Sequence, residues 1–109
     1  MFTRETEGRN GMIQSNKSAE TAEHLALLFK LFADQTRLSI LTELLGNEMC
    51  VGEIVEKLDM SQSAISHQLM VLKIGKLVKT RRSGKNIYYS ISDSHVEQIL
   101  RLGKKHINE

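Results

Sequence analysis

Four side chains near the end of the sequence have the makings of a metal site: Asp93, His95, His106 and Glu109. Imidazole nitrogen and carboxylate oxygen are ordinary zinc donors, and two of each complete a tetrahedral shell. On one helix His95 and His106 differ by only ~20° around the axis but lie ~16.5 Å apart along it. Zinc–nitrogen bonds are ~2.0–2.1 Å, so a single helix cannot bring both imidazoles to one ion. Either the two histidines are unrelated, or the helix pairs with an antiparallel copy of itself. Asp93 and His95 of one chain then face His106 and Glu109 of the other, and two-fold symmetry repeats the site. Asp93, at the helix cap, is able to turn its carboxylate towards the ion that His95 binds. His106 and Glu109 are i,i+3 neighbours, with Glu109 offering its side chain or its terminal carboxylate. Between the pairs, His95, Ile99, Leu102 and His106 follow i, i+4, i+7, i+11, a seam suited to an antiparallel partner.

A second set of residues suits a polyphosphate. Ser61, Gln62, Ser63, Ser66, His67 and Gln68 are short or amide-bearing and fall on the outer side of one helical segment. Gln pairs bidentately with adenine, and Ser serves a base edge or a phosphate. Immediately after them come Lys73, Lys76, Lys79, Arg81, Arg82 and Lys85 with no acid among them, whereas Glu43, Glu48, Glu53, Glu56 and Asp59 precede them against Lys57 alone. A net charge of +2 therefore hides a concentrated basic segment, the footprint of a partner whose phosphates release counterions on neutralisation.

These groups need a scaffold, and the apolar periodicity supplies one. Residues 1–16 lack a helical period and are expected to be a flexible tail, leaving 17–109 as one domain. Ser18 caps a first helix with Ala22, Leu25, Leu28, Phe29 and Phe32 inward. Asp34 caps a second with Leu38, Leu41, Leu44 and Leu45 inward, stopped by Gly46-Asn47. A short third helix spans about Val51 to Leu58. After a turn at Asp59-Met60, Ser61 caps a fourth helix that buries Ala64, Ile65, Leu69 and Leu72 and closes at Gly75. Leu77–Arg81 and Ile87–Ile91 then read as two strands around a Gly-containing turn. Asp93 caps the last helix, with Val96, Ile99, Leu100 and Ile107. A short helix, a tight turn, a second helix with a polar face and a basic hairpin make a winged helix-turn-helix, mainly α with a small β-hairpin.

Composition removes the competing classes. At 109 residues, 40% hydrophobic and 26% charged, the chain is long enough for one soluble domain. No apolar stretch suits a membrane span, and Met1–Met12 is too polar for a signal peptide. A single cysteine fits a reducing cytoplasm. Catalytic zinc generally keeps three protein ligands and an open position. Here four donors close the shell, and there is neither a nucleophile–base pair nor a Gly-rich phosphate loop, so an enzyme is not expected.

The segments Leu31–Arg37, Glu48–Ile54 and Leu58–Leu69, together with Asp93-x-His95 and His106-x-x-Glu109, resemble the ArsR/SmtB family of winged-helix metal-sensing repressors over roughly Leu25 to Glu109. The resemblance implies a homodimer, joined through the first and last helices, that binds an inverted-repeat operator in double-stranded DNA when metal-free. Metal at the C-terminal-helix site, characteristically zinc, releases it, with cobalt and nickel as other occupants. Family members that sense soft metals at the third helix carry a Cys-x-Cys pair there. In this chain Val51 and Gly52 follow Cys50, and no Cys or His precedes His24. Cys50 is therefore expected to pack as a small apolar residue and His24 to be solvated. A ligating imidazole usually donates its other N–H to a carbonyl. If His106 does so near Gly75-Lys76, the site is felt by the reading head. Ligation needs neutral imidazole, so sensing should weaken below roughly pH 6. The alternative is a metal-independent winged-helix regulator that answers another signal.

Overall fold

The computed structural model describes the backbone from Gly8 to Glu109 and the side chains from Lys17 onward. Five helices and three strands follow in the order α1 (Gly8–Phe32), α2 (Gln35–Glu43), β1 (Met49–Cys50), α3 (Val51–Leu58), α4 (Gln62–Ile74), β2 (Val78–Ser83), β3 (Asn86–Ile91) and α5 (Ser94–Ile107). The chain divides into two compact units, residues up to Lys30 and Leu31–Glu109.

Three of the helix starts are fixed by the side chains that the sequence offers for them. Asp34 accepts from Arg37 N–H at 2.9 Å, Ser61 from Ala64 N–H at 3.2 Å and Asp93 from Val96 N–H at 3.0 Å, each satisfying an otherwise orphaned donor of the first turn. The first helix differs from expectation. It begins at Gly8 instead of at a Ser18 cap, so part of the expected tail, residues 8–16, is helical. Nothing between Gly8 and Ser18 interrupts the backbone ladder, since the chain has no proline, and extending an existing helix costs far less than starting one. Residues 1–7 of that tail lie outside the described residues.

Within Leu31–Glu109 the core is built from Ile40, Leu41 and Leu44 of α2 and its C-cap, Ile54 of α3, Ile65, Leu69 and Leu72 of α4, and Leu77 at the base of the hairpin. Each is essentially inaccessible, and such burial contributes about 1.5–3 kcal/mol per side chain. Val96 and Leu100 attach α5 to this core. Leu38, expected inward, is exposed; Ile40, two positions on, takes the buried place on α2.

The helical end of α4 is a Schellman turn. Leu77 N–H donates to the Leu72 carbonyl (2.9 Å) and Lys76 N–H to Lys73 (3.0 Å), the 6→1 and 5→2 bonds of that motif. Its left-handed position is Lys76, at φ +64, not Gly75. Gly75 meets a different constraint: a Cβ there would run into the Leu31 methyls, which would have to shift. The hairpin is longer than the sequence suggests, with Ser83 paired to Asn86 and only Gly84-Lys85 between them. Gly84 has φ +62 and Lys85 has no positive φ, as a type II′ hairpin turn requires. A third strand also joins the sheet: β1 pairs antiparallel with β3, Met49 opposite Tyr89 and Cys50 opposite Tyr88, in the order β1-β3-β2. Among the described residues, no helix is long and apolar enough to cross a membrane.

Candidate nucleic-acid interface and metal-ligand pair

The outer side of α4 carries the expected polar row. Ser61, Gln62, Ser63, Ser66 and His67 are exposed, and Gln68 is half-buried. Ser61 is committed to its cap, and its hydroxyl also lies 3.4 Å from that of Ser63, so Gln62, Ser66 and His67 are the side chains left to reach outward. Gln68 is held from α2: Arg37 Nη1 donates to Gln68 Oε1 at 3.2 Å, while Arg37 Nε donates to the Leu31 carbonyl at 2.8 Å. Arg37 is thus a partner of the candidate site that sequence reasoning missed as such, although it closes the Leu31–Arg37 segment singled out there.

The basic residues divide into two kinds. Lys73, Arg82 and Lys85 are exposed and make no ion pair among the described residues, and Arg82 and Lys85 flank the tip of the hairpin. Arg81 is occupied. Its Nε and Nη2 donate to the two oxygens of Glu48 at 2.9 and 2.7 Å, a bidentate fork, and its guanidinium lies 5.0 Å from the centre of the Tyr88 ring. Hydrogen bonding from Arg81 holds the Glu48 carboxyl below the ordinary carboxylate range, and the same bond raises Arg81. Arg81 therefore pins the middle of β2 to the residue before β1, and of the three wing cations expected to meet phosphate only Arg82 and Lys85 carry no such pair among the described residues.

At the start of α5, Asp93 and His95 stand together. His95 Nδ1 is 3.6 Å from Asp93 Oδ1, with the two side chains 85% and 54% exposed. Two donors on one tetrahedral ion are about 3.3–3.5 Å apart, given bonds of ~2.0–2.1 Å, so the pair suits a shared ion with little movement. His106 is exposed in the last turn of α5. Glu109 lies beyond Ile107, the end of the helix, and beyond its C-cap Asn108, so the helical i,i+3 geometry expected for His106 and Glu109 does not apply to Glu109. Among the described residues no three His, Cys, Asp or Glu side chains of one chain converge on an ion-sized site. Cys50 is half-buried at the start of α3, its N–H accepted by Glu53 at 2.9 Å, and His24 is exposed.

The two regions are joined by one residue. Ser92 N–H donates to the Leu77 carbonyl (3.0 Å) and Ser92 Oγ to the Lys76 carbonyl (2.8 Å). Ser92 directly precedes Asp93, and Lys76 directly follows the α4 cap. One carbonyl of the Gly75-Lys76 region expected to receive His106, that of Lys76, thus already accepts a bond from Ser92, a residue not singled out from the sequence.

Comparison with known proteins agrees with this architecture. Residues 34–80 match the family described as bacterial regulatory protein, arsR family. A transcriptional repressor SmtB homolog of Synechocystis sp. is 39% identical over 92 residues, 84% of this chain and 70% of that protein. The cadmium resistance transcriptional regulatory protein CadC homolog of Staphylococcus aureus is 36% identical over 86 residues, 78% of this chain and 71% of that protein. The solution structure of the homodimeric winged helix-turn-helix domain Mb0332 from Mycobacterium bovis superposes with a TM-score of 0.78 at 28% identity, covering 98% of this chain and 92% of that one. The caps, the α3–turn–α4 unit, the basic hairpin and these similarities together place the chain in the ArsR/SmtB family of winged-helix, DNA-binding transcriptional regulators.

Proposed function

We propose that the chain is a metal-responsive transcriptional repressor that binds an inverted-repeat operator as a homodimer and leaves it when zinc occupies two symmetric intersubunit sites. The observation that carries the reading is the exposed Asp93–His95 pair, whose 3.6 Å separation is only slightly wider than that of adjacent donors on a tetrahedral ion. His106 and Glu109 of the partner subunit complete the set. Cobalt and nickel suit the same nitrogen and oxygen donors, and availability decides among them. Homodimerisation is supported by the apolar residues left exposed on the two terminal helices, Leu25 and Leu27 of α1 and Leu102 and Ile107 of α5, and by the homodimeric Mycobacterium bovis neighbour.

When bound, the ion supplies a cross-link between the start of one α5 and the end of its mate. The chain's own residues carry the rest. Reading heads must sit about one DNA turn apart to engage both half-sites, so a small change in the attitude of α4 weakens binding. Ser92 ties Asp93 to the Lys76 carbonyl at the end of α4, so the position of the α5 cap is felt by the recognition helix. Release then requires only that the metal bind better to the arrangement that DNA does not accept.

Metal-independent regulation is favoured by one fact: Asp93 already has a structural duty as the α5 cap. The test is a fluorescence anisotropy titration at fixed salt, using a duplex recovered from a randomised pool. Zinc, cobalt and nickel are added in turn to the wild type and to His95→Ala. Metal-dependent release in the wild type and its loss in the variant support the proposal. Identical binding with and without each metal defeats it in favour of the metal-independent reading.

A further inference from the structure

We propose that Arg37 is a positioning residue that fixes Gln68 as a hydrogen-bond donor towards DNA, so that Gln68 does not read adenine. The inference rests on the DNA-binding reading of α4. A guanidinium has donors only, so the atom of the Gln68 amide at 3.2 Å from Arg37 Nη1 is its oxygen, which fixes which end of the amide faces α2. Bidentate recognition of adenine needs both ends of the amide at once, oxygen accepting from N6 and nitrogen donating to N7. With one lone pair of Oε1 given to Arg37, the oxygen is tied to the α2 side and is not free to lie along adenine N6, which leaves the two N–H donors for a phosphate oxygen or an acceptor edge such as guanine O6 or N7.

The restraint has a rigid source. Arg37 sits in the first turn of α2, where Asp34 accepts from its backbone N–H at 2.9 Å, and its Nε is bonded to the Leu31 carbonyl at 2.8 Å. The residue is thereby anchored at both ends, its backbone by Asp34 and its guanidinium by the Leu31 carbonyl, before it meets Gln68. Gln68 is itself half-buried, so rotating the amide would set its NH2 group against the guanidinium. Gln62, exposed at the start of α4, is under no such restraint and keeps both ends for a base.

Duplexes selected from a randomised pool by the wild type, Gln68→Ala, Arg37→Met and the double variant test this. The wild type and Gln68→Ala should enrich sites with the same adenines, Gln68→Ala binding them more weakly by severalfold. Arg37→Met, with the oxygen released, should gain an adenine preference that the double variant lacks. An adenine enriched by the wild type and lost in Gln68→Ala overturns the inference while leaving DNA binding intact. Enrichment of no sequence by the wild type overturns the inference together with the reading beneath it. Should Arg37→Met fail to fold, NMR of the free protein decides. Slowed rotation of the Arg37 Nη1 protons in the wild type, lost in Gln68→Ala, supports the bond; the same exchange in both proteins refutes it.

Discussion

Replacing Ser92 by alanine removes one side-chain hydrogen bond from the junction of α4 and α5 and leaves the backbone bond from Ser92 N–H to Leu77 in place. The lost bond is exposed, of ordinary length at 2.8 Å, and worth about 0.5–1.5 kcal/mol net. If its geometry differs between the DNA-bound and metal-bound forms, that whole amount is available as coupling between the sites, a factor of roughly 2–13 in affinity. Coupling free energies of regulatory proteins are typically ~1–3 kcal/mol, so this single bond amounts to a substantial share. The assay compares operator affinity by anisotropy in chelator and in buffered zinc, with zinc affinity measured separately by competition against a chromophoric chelator. Ser92→Ala should bind DNA normally without metal, bind zinc normally, and show a several-fold smaller loss of DNA affinity on adding zinc. An unchanged loss, with zinc affinity also unchanged, would refute the proposed path from α5 to α4.

Other consequences follow from the packing and charge of the same elements. Gly75→Ala drives a methyl group into Leu31, and such overpacking should cost about 1 kcal/mol and lower the unfolding midpoint by roughly 4 °C; a midpoint at or above that of the wild type contradicts the contact. The Arg81–Glu48 fork should persist through neutral pH. Because the Glu48 carboxyl is held below its ordinary value in the fold, its stabilisation is present above that range and lost as pH falls through the lowered value. Amide exchange at Met49 and Cys50 should therefore accelerate only in acid, and Glu48→Gln should abolish that pH dependence. If the chain pairs through α5 as proposed, Leu102→Glu, on the exposed face of α5, should leave a monomer in sedimentation where the wild type is a dimer, and an intact dimer would move the interface elsewhere.

The winged helix was legible because its helix starts are encoded locally. Asp34, Ser61 and Asp93 each cap the helix that follows, and a cap acts over three residues. What the sequence hid depends on distant partners. The strand β1 is two residues long and shows no alternation, and its pairing with Tyr88 and Tyr89 exists only once the hairpin is in place. Arg81 looked like one more cation for DNA, since Glu48 lies thirty-three positions earlier in the chain. Gln68 looked like a free reader for the same reason, its partner Arg37 lying on another helix. Among the proposed metal ligands, spacing along α5 puts His95 and His106 on one face. That α5 stops at Ile107 with Asn108 as its cap, before Glu109, is a boundary that ideal periodicity omits.

Mixing two variants tests sharing of the metal site between subunits directly. His95→Ala and His106→Ala each spoil every site in their own homodimer. A heterodimer has one site with both histidines, His95 from one chain and His106 of the partner subunit, and one site with neither. After unfolding and refolding an equal mixture, random pairing should restore about one quarter of the wild-type sites. Cobalt absorption in the visible region, intense for tetrahedral coordination, counts them. The expected result is little signal from either variant alone and about a quarter of the wild-type intensity from the mixture. Full signal from a single variant, or none from a mixture that sedimentation shows to be dimeric, would contradict a site shared between the two α5 helices.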